Sequence, residues 1–259
     1  MNAFFAQIIL AVVQGIAEWF PISSSSHLVL ISELLGYANT LQFDVAVHFG
    51  TLMAVFIYFR REILDIARDV LRLRFNTIHG RLGVYLVIAT IPAAVAGYLL
   101  KSFIETTLGN FSLIAVGLGI TGIVLLIGST SSGKRKFEQL NVWDAILIGL
   151  AQVASLFRGI SRSGSTISAG LLRGLDEKTA VTFSFLMSIP IVLGANILEL
   201  GGASLPREFL LPMLVSFIVG LGTIHVFIRF VLTSRKNLRW FGIYVLIVAA
   251  CLELWLLVR

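Results

Sequence analysis

The sequence predicts an all-α integral membrane protein: six transmembrane helices plus two re-entrant helical hairpins, arranged as an inverted-topology repeat. Three observations predict it. Of the 259 residues, 57% are hydrophobic and only 13% charged, where a soluble domain carries roughly a quarter charged residues. The mean hydropathy is +0.93, so too little polar surface remains to cover the chain in water. The apolar residues run in long stretches, unlike the short alternating segments of a membrane barrel. Finally, two broken apolar regions, one in each half, carry matching residues. A net charge of +6 does not point to nucleic acid, because the basic residues fill short gaps between apolar runs, as cytoplasmic loops do. The single cysteine, Cys251, excludes an intrachain disulfide.

The elements follow in order. Residues 1–36 form two short apolar arms separated by Phe20-Pro21-Ile22-Ser23-Ser24-Ser25-Ser26. An arm of about 10 residues rises about 15 Å, half of a ~30 Å hydrocarbon core, so the region reads as a hairpin that enters and returns. Its start lacks the cationic flank of a signal peptide and is read as mature structure. Residues 45–59, extended by Phe43 and Asp44, form a span that contains His48. Residues 60–75 show apolar positions at helical spacing among arginines, which suits a helix lying on the membrane surface. Spans follow at 82–100 and 111–128. Residues 142–174 form a second broken region around Arg158-Gly159-Ile160-Ser161-Arg162-Ser163-Gly164-Ser165-Thr166, and spans at 179–198, 209–228 and 240–258 complete the chain. Irregular backbone at that depth survives only inside protein or beside a wet cavity, so the two breaks mark a site.

Loop charges give the orientation. If both hairpins return to their own side, loops 60–81, 129–141 and 233–239 share a face with twelve Lys and Arg residues, while the other face holds only Lys101, Arg207 and Arg259. The basic face is expected in the cytoplasm of a plasma-membrane protein, with both termini outside.

Gln14 aligns with Gln152, Ile22-Ser23 with Ile160-Ser161, and Ser25 with Ser163, at one offset. Residues 46–53 then match 180–187 at five of eight positions. The chain is therefore read as one membrane domain, 1–259, made of repeats 1–135 and 136–259. Each repeat has a hairpin and three spans; three is odd, so the second repeat is inverted. Inverted repeats with broken helices bind their ligands near the midplane, where the halves meet.

The first tip carries Gln14 and Glu18, four apart and so on one face of the incoming arm. Ser24 and His27 are three apart, and a helix starting near Ser24 brings hydroxyl and imidazole together beside a carboxylate, an arrangement for an activated nucleophile. A carboxylate at Glu18's depth is costly and by default functional. The second tip supplies Arg162 and, as a second cation, Arg158. Two helix N-termini, these cations and the hydroxyls of Ser23, Ser25, Ser26, Ser161, Ser163 and Thr166 make a receptor for a multiply charged anion, most naturally phosphate. The bland alternative is that Arg162 only bridges to Glu18. Glu18 aligns with Leu156, so the halves have diverged into acidic and basic tips, which fits catalysis better than symmetric transport.

At these residues the sequence resembles the undecaprenyl-diphosphate phosphatase family, also known from bacitracin resistance. Gln14, Glu18, Pro21, Ser23, Ser24 and His27 match its first motif; Gly159, Ser161, Arg162, Ser163 and Thr166 match its second. The resemblance covers the whole chain. It implies hydrolysis of a polyprenyl diphosphate to the monophosphate, recycling a lipid carrier, with Mg²⁺ or Ca²⁺ as cofactor. It also implies a nucleophilic Ser24 (or His27), with Glu18 and Arg162 essential; Glu18 and Gln14 are the expected metal ligands. The expected partners are the lipid substrate and membrane lipids, with a homodimer left open. Three positions depart from the family pattern: Gln14 for a common Glu, Arg158 for Pro, and Ser26 for Gly. The main alternative is an inverted-repeat transporter or flippase for a lipid-linked phosphate or an organic anion.

Overall fold

The computed structural model describes residues 2–107, 109–131, 133–200 and 205–258, and these form twelve α-helices. They are α1 (Ala3–Ala17), α2 (Ser24–Leu35), α3 (Leu41–Tyr58), α4 (Arg60–Leu71), α5 (Ile78–Leu99), α6 (Lys101–Thr107), α7 (Phe111–Ser129), α8 (Val142–Val153), α9 (Arg162–Leu172), α10 (Glu177–Leu200), α11 (Leu210–Thr233) and α12 (Leu238–Val258). Helices α3, α5, α7, α10, α11 and α12 are long and apolar enough to cross a membrane, and they overlie the six spans read from the sequence. The protein is a multi-pass membrane protein. Arg259, counted among the few basic residues of the opposite face, lies outside the described residues.

The two broken regions are the hairpins α1–α2 and α8–α9. Helix α1 has 15 residues and α8 has 12, giving rises of about 22 and 18 Å, short of a ~30 Å core. Helix α4 is the predicted surface helix, and none of its residues is buried. The packing repeats by exchange: α1 lies on α11 as α8 lies on α5, α3 meets α10, α7 meets α12, and each hairpin's arms pack together. Swapping α1 with α8, α3 with α10, α5 with α11 and α7 with α12 exchanges these contacts, whereas the packing of α9 on α7 and α10 has no counterpart of comparable extent in α2.

Helix starts are set by short polar residues. Thr40, Thr77, Asn110 and Ser161 each accept a hydrogen bond from a first-turn N–H, satisfying a donor that has no partner inside the helix. At the base of the second hairpin, Asn141 and Asp144 cap α8 reciprocally. The buried Asp144 carboxylate also receives Arg135 at 2.6 and 3.2 Å and Arg173 Nε at 2.9 Å. Arg135 donates to the Arg173 carbonyl at 2.9 Å, which locks the entry and exit of the hairpin together. Deeper in, Gly117 on α7 lets the second tip approach: a Cβ there would meet the Arg158 carbonyl at 2.6 Å. Gly159 itself adopts φ +98°, which glycine takes without strain.

Candidate active site

The two hairpin tips meet. Helix α1 ends at Ala17, ahead of Pro21, and the N–H of Glu18 still reaches the Gln14 carbonyl at 3.0 Å. Pro21 disfavours helix at the residue before it, so the chain turns and α2 restarts at Ser24. The residue that makes this turn, Ser23, has φ 70°, a left-handed conformation uncommon for a side chain with a Cβ. Such angles cost about 1–3 kcal/mol and cluster at working sites. On the other side Thr121 of α7 holds the second tip, donating to the Gly159 carbonyl at 2.8 Å and accepting from Ser161 N–H at 2.9 Å. Ser163 Oγ then reaches the Phe20 carbonyl of the first tip at 3.5 Å.

Between the tips sits Glu18. Its Oε1 accepts from Arg162 at 2.7 Å, across the repeat boundary. Its Oε2 accepts from Ser24 Oγ at 2.7 Å and from Gln14 Nε2 at 3.1 Å. Arg162 lies over the Trp19 ring, 5.8 Å from its centroid, and donates to the Ser184 carbonyl at 3.4 Å. The guanidinium is thus oriented by a carboxylate, a ring face and a carbonyl together. The structural reading of Arg162 is correct as geometry, but the pair does not sit in a sealed core. Both residues line a cavity of about 580 Å³.

Of the residues singled out from the sequence, Glu18, Ser23, Ser24, Ser25, Arg158, Ser161, Arg162 and Ser163 line this cavity. Others stand behind its wall. Thr166 Oγ1 bonds the Arg162 carbonyl at 2.8 Å and Ser184 Oγ at 2.6 Å, bracing α9 against α10. Ser26 is fully buried and shares a 3.0 Å hydrogen bond with Ser23 Oγ. It lies within α2, so the position that needs unusual angles is Ser23, not Ser26.

The pairing of Ser24 with His27 expected from helical spacing does not form. Ser24 turns across the tip to Glu18, while the His27 ring turns toward α12. Its Nδ1 donates to the Ser23 carbonyl at 2.9 Å and its Nε2 accepts from Tyr244 OH at 2.9 Å. Spacing sets where Cβ atoms start, but partners outside the helix decide where the side chains end.

Of the two residues expected to hold Mg²⁺ or Ca²⁺, Gln14 gives its amide N–H to Glu18 at 3.1 Å and has a buried Oε1 without a hydrogen-bond partner. The Glu18 carboxylate is shared among Gln14, Ser24 and Arg162. Among the described residues no three His, Cys, Asp or Glu side chains cluster closely enough to hold a metal ion.

The cavity also holds residues that the sequence did not single out: Asp44 and His48 of α3 and Asn196 of α10, within expected spans, and Asn39 in the loop ahead of α3. His48 Nε2 lies 3.8 Å from Glu18 Oε2. The signal was present, since an ionisable residue within a span is functional by default.

Comparison with known proteins bears on this geometry. A family model described as bacitracin resistance protein BacA matches residues 7–251. The chain is 40% identical over 247 residues to an undecaprenyl-diphosphatase of Gemmatimonas aurantiaca, covering 92% of each. It is 40% identical over 266 residues to one of Rubrobacter xylanophilus, covering 96% of this chain and 97% of that protein. A third, from Idiomarina loihiensis, is 38% identical over 262 residues, covering 97% and 98%.

Proposed function

The chain belongs to the bacitracin resistance protein BacA family, and we infer from this membership and its cavity that it is an undecaprenyl-diphosphatase. It is a membrane hydrolase that removes the terminal phosphate of undecaprenyl diphosphate and returns the monophosphate carrier. The transporter alternative is not favoured: the relatives are named for hydrolysis, and the site couples a hydroxyl to a carboxylate, which a carrier does not need.

The observation that carries the reading is the Ser24–Glu18–Arg162 chain, with both links at 2.7 Å, on a cavity shared by the two repeats. Ser24 Oγ attacks the terminal phosphorus as its proton passes to Glu18 Oε2. The bridging P–O bond breaks, and its electron pair leaves with polyprenyl phosphate. Phosphoryl transfer depends on positioning and charge stabilisation, and Arg162 with the N-termini of α2 and α9 supplies both at the transferred group. Arg158, Ser161 and Ser163 hold the phosphates from the second tip. His27 is assigned a bracing role, tying the strained Ser23 to Tyr244.

Leu28, Val29, Leu156, Ile191 and Val192 make the cavity's other wall apolar, which suits the first prenyl units. Asn39 and Leu41 stand at the start of α3, opposite its Arg60 end, and Asn196 near the end of α10, which supports a site reached from the face away from the basic loops. The site is complete within one chain, so a homodimer is not needed for the chemistry.

The test uses purified protein in detergent with undecaprenyl diphosphate and divalent cation, and measures released phosphate. Release that is lost in Ser24→Ala is expected. Lipid binding without release at any pH would overturn the reading in favour of a carrier.

A further inference from the structure

We propose that His48, on α3 and outside both tip motifs, is the acid–base residue of the hydrolytic half of the reaction, in which water removes the phosphate from Ser24. The inference rests on the phosphatase reading above and concerns a step which that reading leaves without a base.

The two histidines near the tips are held in opposite ways. A backbone carbonyl can only accept, so Nδ1 of each ring carries the proton: His27 gives it to Ser23 and His48 gives it to Asp44, the latter at 2.8 Å. In His27 the remaining Nε2 is taken by the Tyr244 hydroxyl at 2.9 Å, so both nitrogens are satisfied and the ring is held as a brace. In His48 the remaining Nε2 points at Glu18 Oε2 from 3.8 Å, in a side chain 26% exposed to the cavity. A neutral Nε2 and a carboxylate oxygen are both acceptors. Facing each other, they are relieved by a proton on the ring or by a water that donates to both. The same Oε2 accepts the Ser24 hydroxyl at 2.7 Å. The nucleophile and the free imidazole edge therefore converge on one oxygen.

The charged groups facing His48 are few. Glu18 comes from the first tip, Asp44 from its own helix, and Arg158 and Arg162 from the second tip. Helix α10 adds Asn196 and α2 adds serine hydroxyls, both neutral. Helix α11 brings His225 against Tyr58, at the far end of α3. The Nε2 edge of the ring thus faces the cavity beside the carboxylate that binds the Ser24 hydroxyl.

The step balances. Water oxygen forms a bond to phosphorus and the Ser24 Oγ–P bond breaks. His48 Nε2 takes a proton from the water, and Glu18 returns to Ser24 Oγ the proton it accepted in the first half. Inorganic phosphate then leaves, and the ring's proton passes to solvent.

The experiment compares wild type, His48→Gln, His48→Ala and His27→Gln with substrate labelled at the terminal phosphorus. It reads turnover against pH and label retained on Ser24. His48→Gln keeps an N–H for the Asp44 carbonyl, which guards against simple loss of the fold. The expected result is a loss of about 10²–10³-fold in kcat for both His48 variants, accumulation of phosphoserine, and a flattened acid limb of the pH profile. Imidazole should restore part of the His48→Ala rate. His48 variants with wild-type turnover, or with slow turnover but no retained label and an unchanged pH profile, would overturn the proposal, as would label building up in His27→Gln instead. A wild type that releases no phosphate would instead defeat the phosphatase reading.

Discussion

Helices α2 and α9 are the returning arms of the two hairpins, and both begin at the cavity. Eight of the eleven residues of α9 are buried, against three of the twelve in α2. Helix α9 is enclosed by α7, α8 and α10, whereas the extensive packing of α2 is with α1. The second tip is pinned by Thr121 and clamped at its base by Asp144, while the first turns on a left-handed serine. The comparison teaches a division of labour. In the proposed reaction the basic tip, whose geometry the fold determines, receives the anion, and the acidic tip carries the Ser24 hydroxyl on an arm with fewer buried contacts.

The sharpest way to break that comparison is to remove one chemical group from each tip. Ser24→Ala should lower turnover by at least about 10⁴-fold while lipid binding persists, as loss of a nucleophile does elsewhere. Isothermal binding of the undiminished substrate would check it, and lost binding would mean that the acidic tip is also receptor. Arg162→Lys keeps a charge but loses the fork that spans Glu18 and the Ser184 carbonyl. A fall of about 10²–10³-fold in kcat is expected from steady-state phosphate release. A smaller probe is Thr121→Val, which orphans a buried carbonyl and an N–H at the second tip and should cost about 1–3 kcal/mol by thermal unfolding in detergent. Hydrogen exchange should find α2 amides opening faster than those of α9, since few buried contacts protect them. Equal protection would remove the basis for setting the two arms apart. The smallest effect is expected for Gln14→Ala, which removes only the longest of the hydrogen bonds to Glu18, at 3.1 Å, and should lower kcat by less than about tenfold in the phosphate-release assay.

Much of this was legible in the sequence. Span length and hydropathy fall directly out of bilayer thickness, and the polar breaks at Phe20–Ser26 and Arg158–Thr166 favour hairpin tips over two short kinked spans. The Gln14–Glu18 contact follows from spacing four apart, and Glu18 with Arg162 follows from two opposite charges in the one place where the repeats meet. What spacing could not show was direction. Ser24 and His27 start side by side, but Glu18 draws one inward and Tyr244, 217 residues away in sequence, draws the other outward. Asp44, His48 and Asn196 were hidden for a related reason. Each lies at or within a long apolar run, and only tertiary packing brings α3 and α10 to the same cavity.

The Glu18–Arg162 pair sets terms for traffic through the cavity. A guanidinium already matched by a carboxylate does not attract every passing anion; an incoming headgroup must compete with Glu18 for it. A diphosphate has the charge to win that exchange. In the proposed reaction Glu18 regains its charge only when phosphate leaves Ser24, and the restored pair then stands against the return of the product anion.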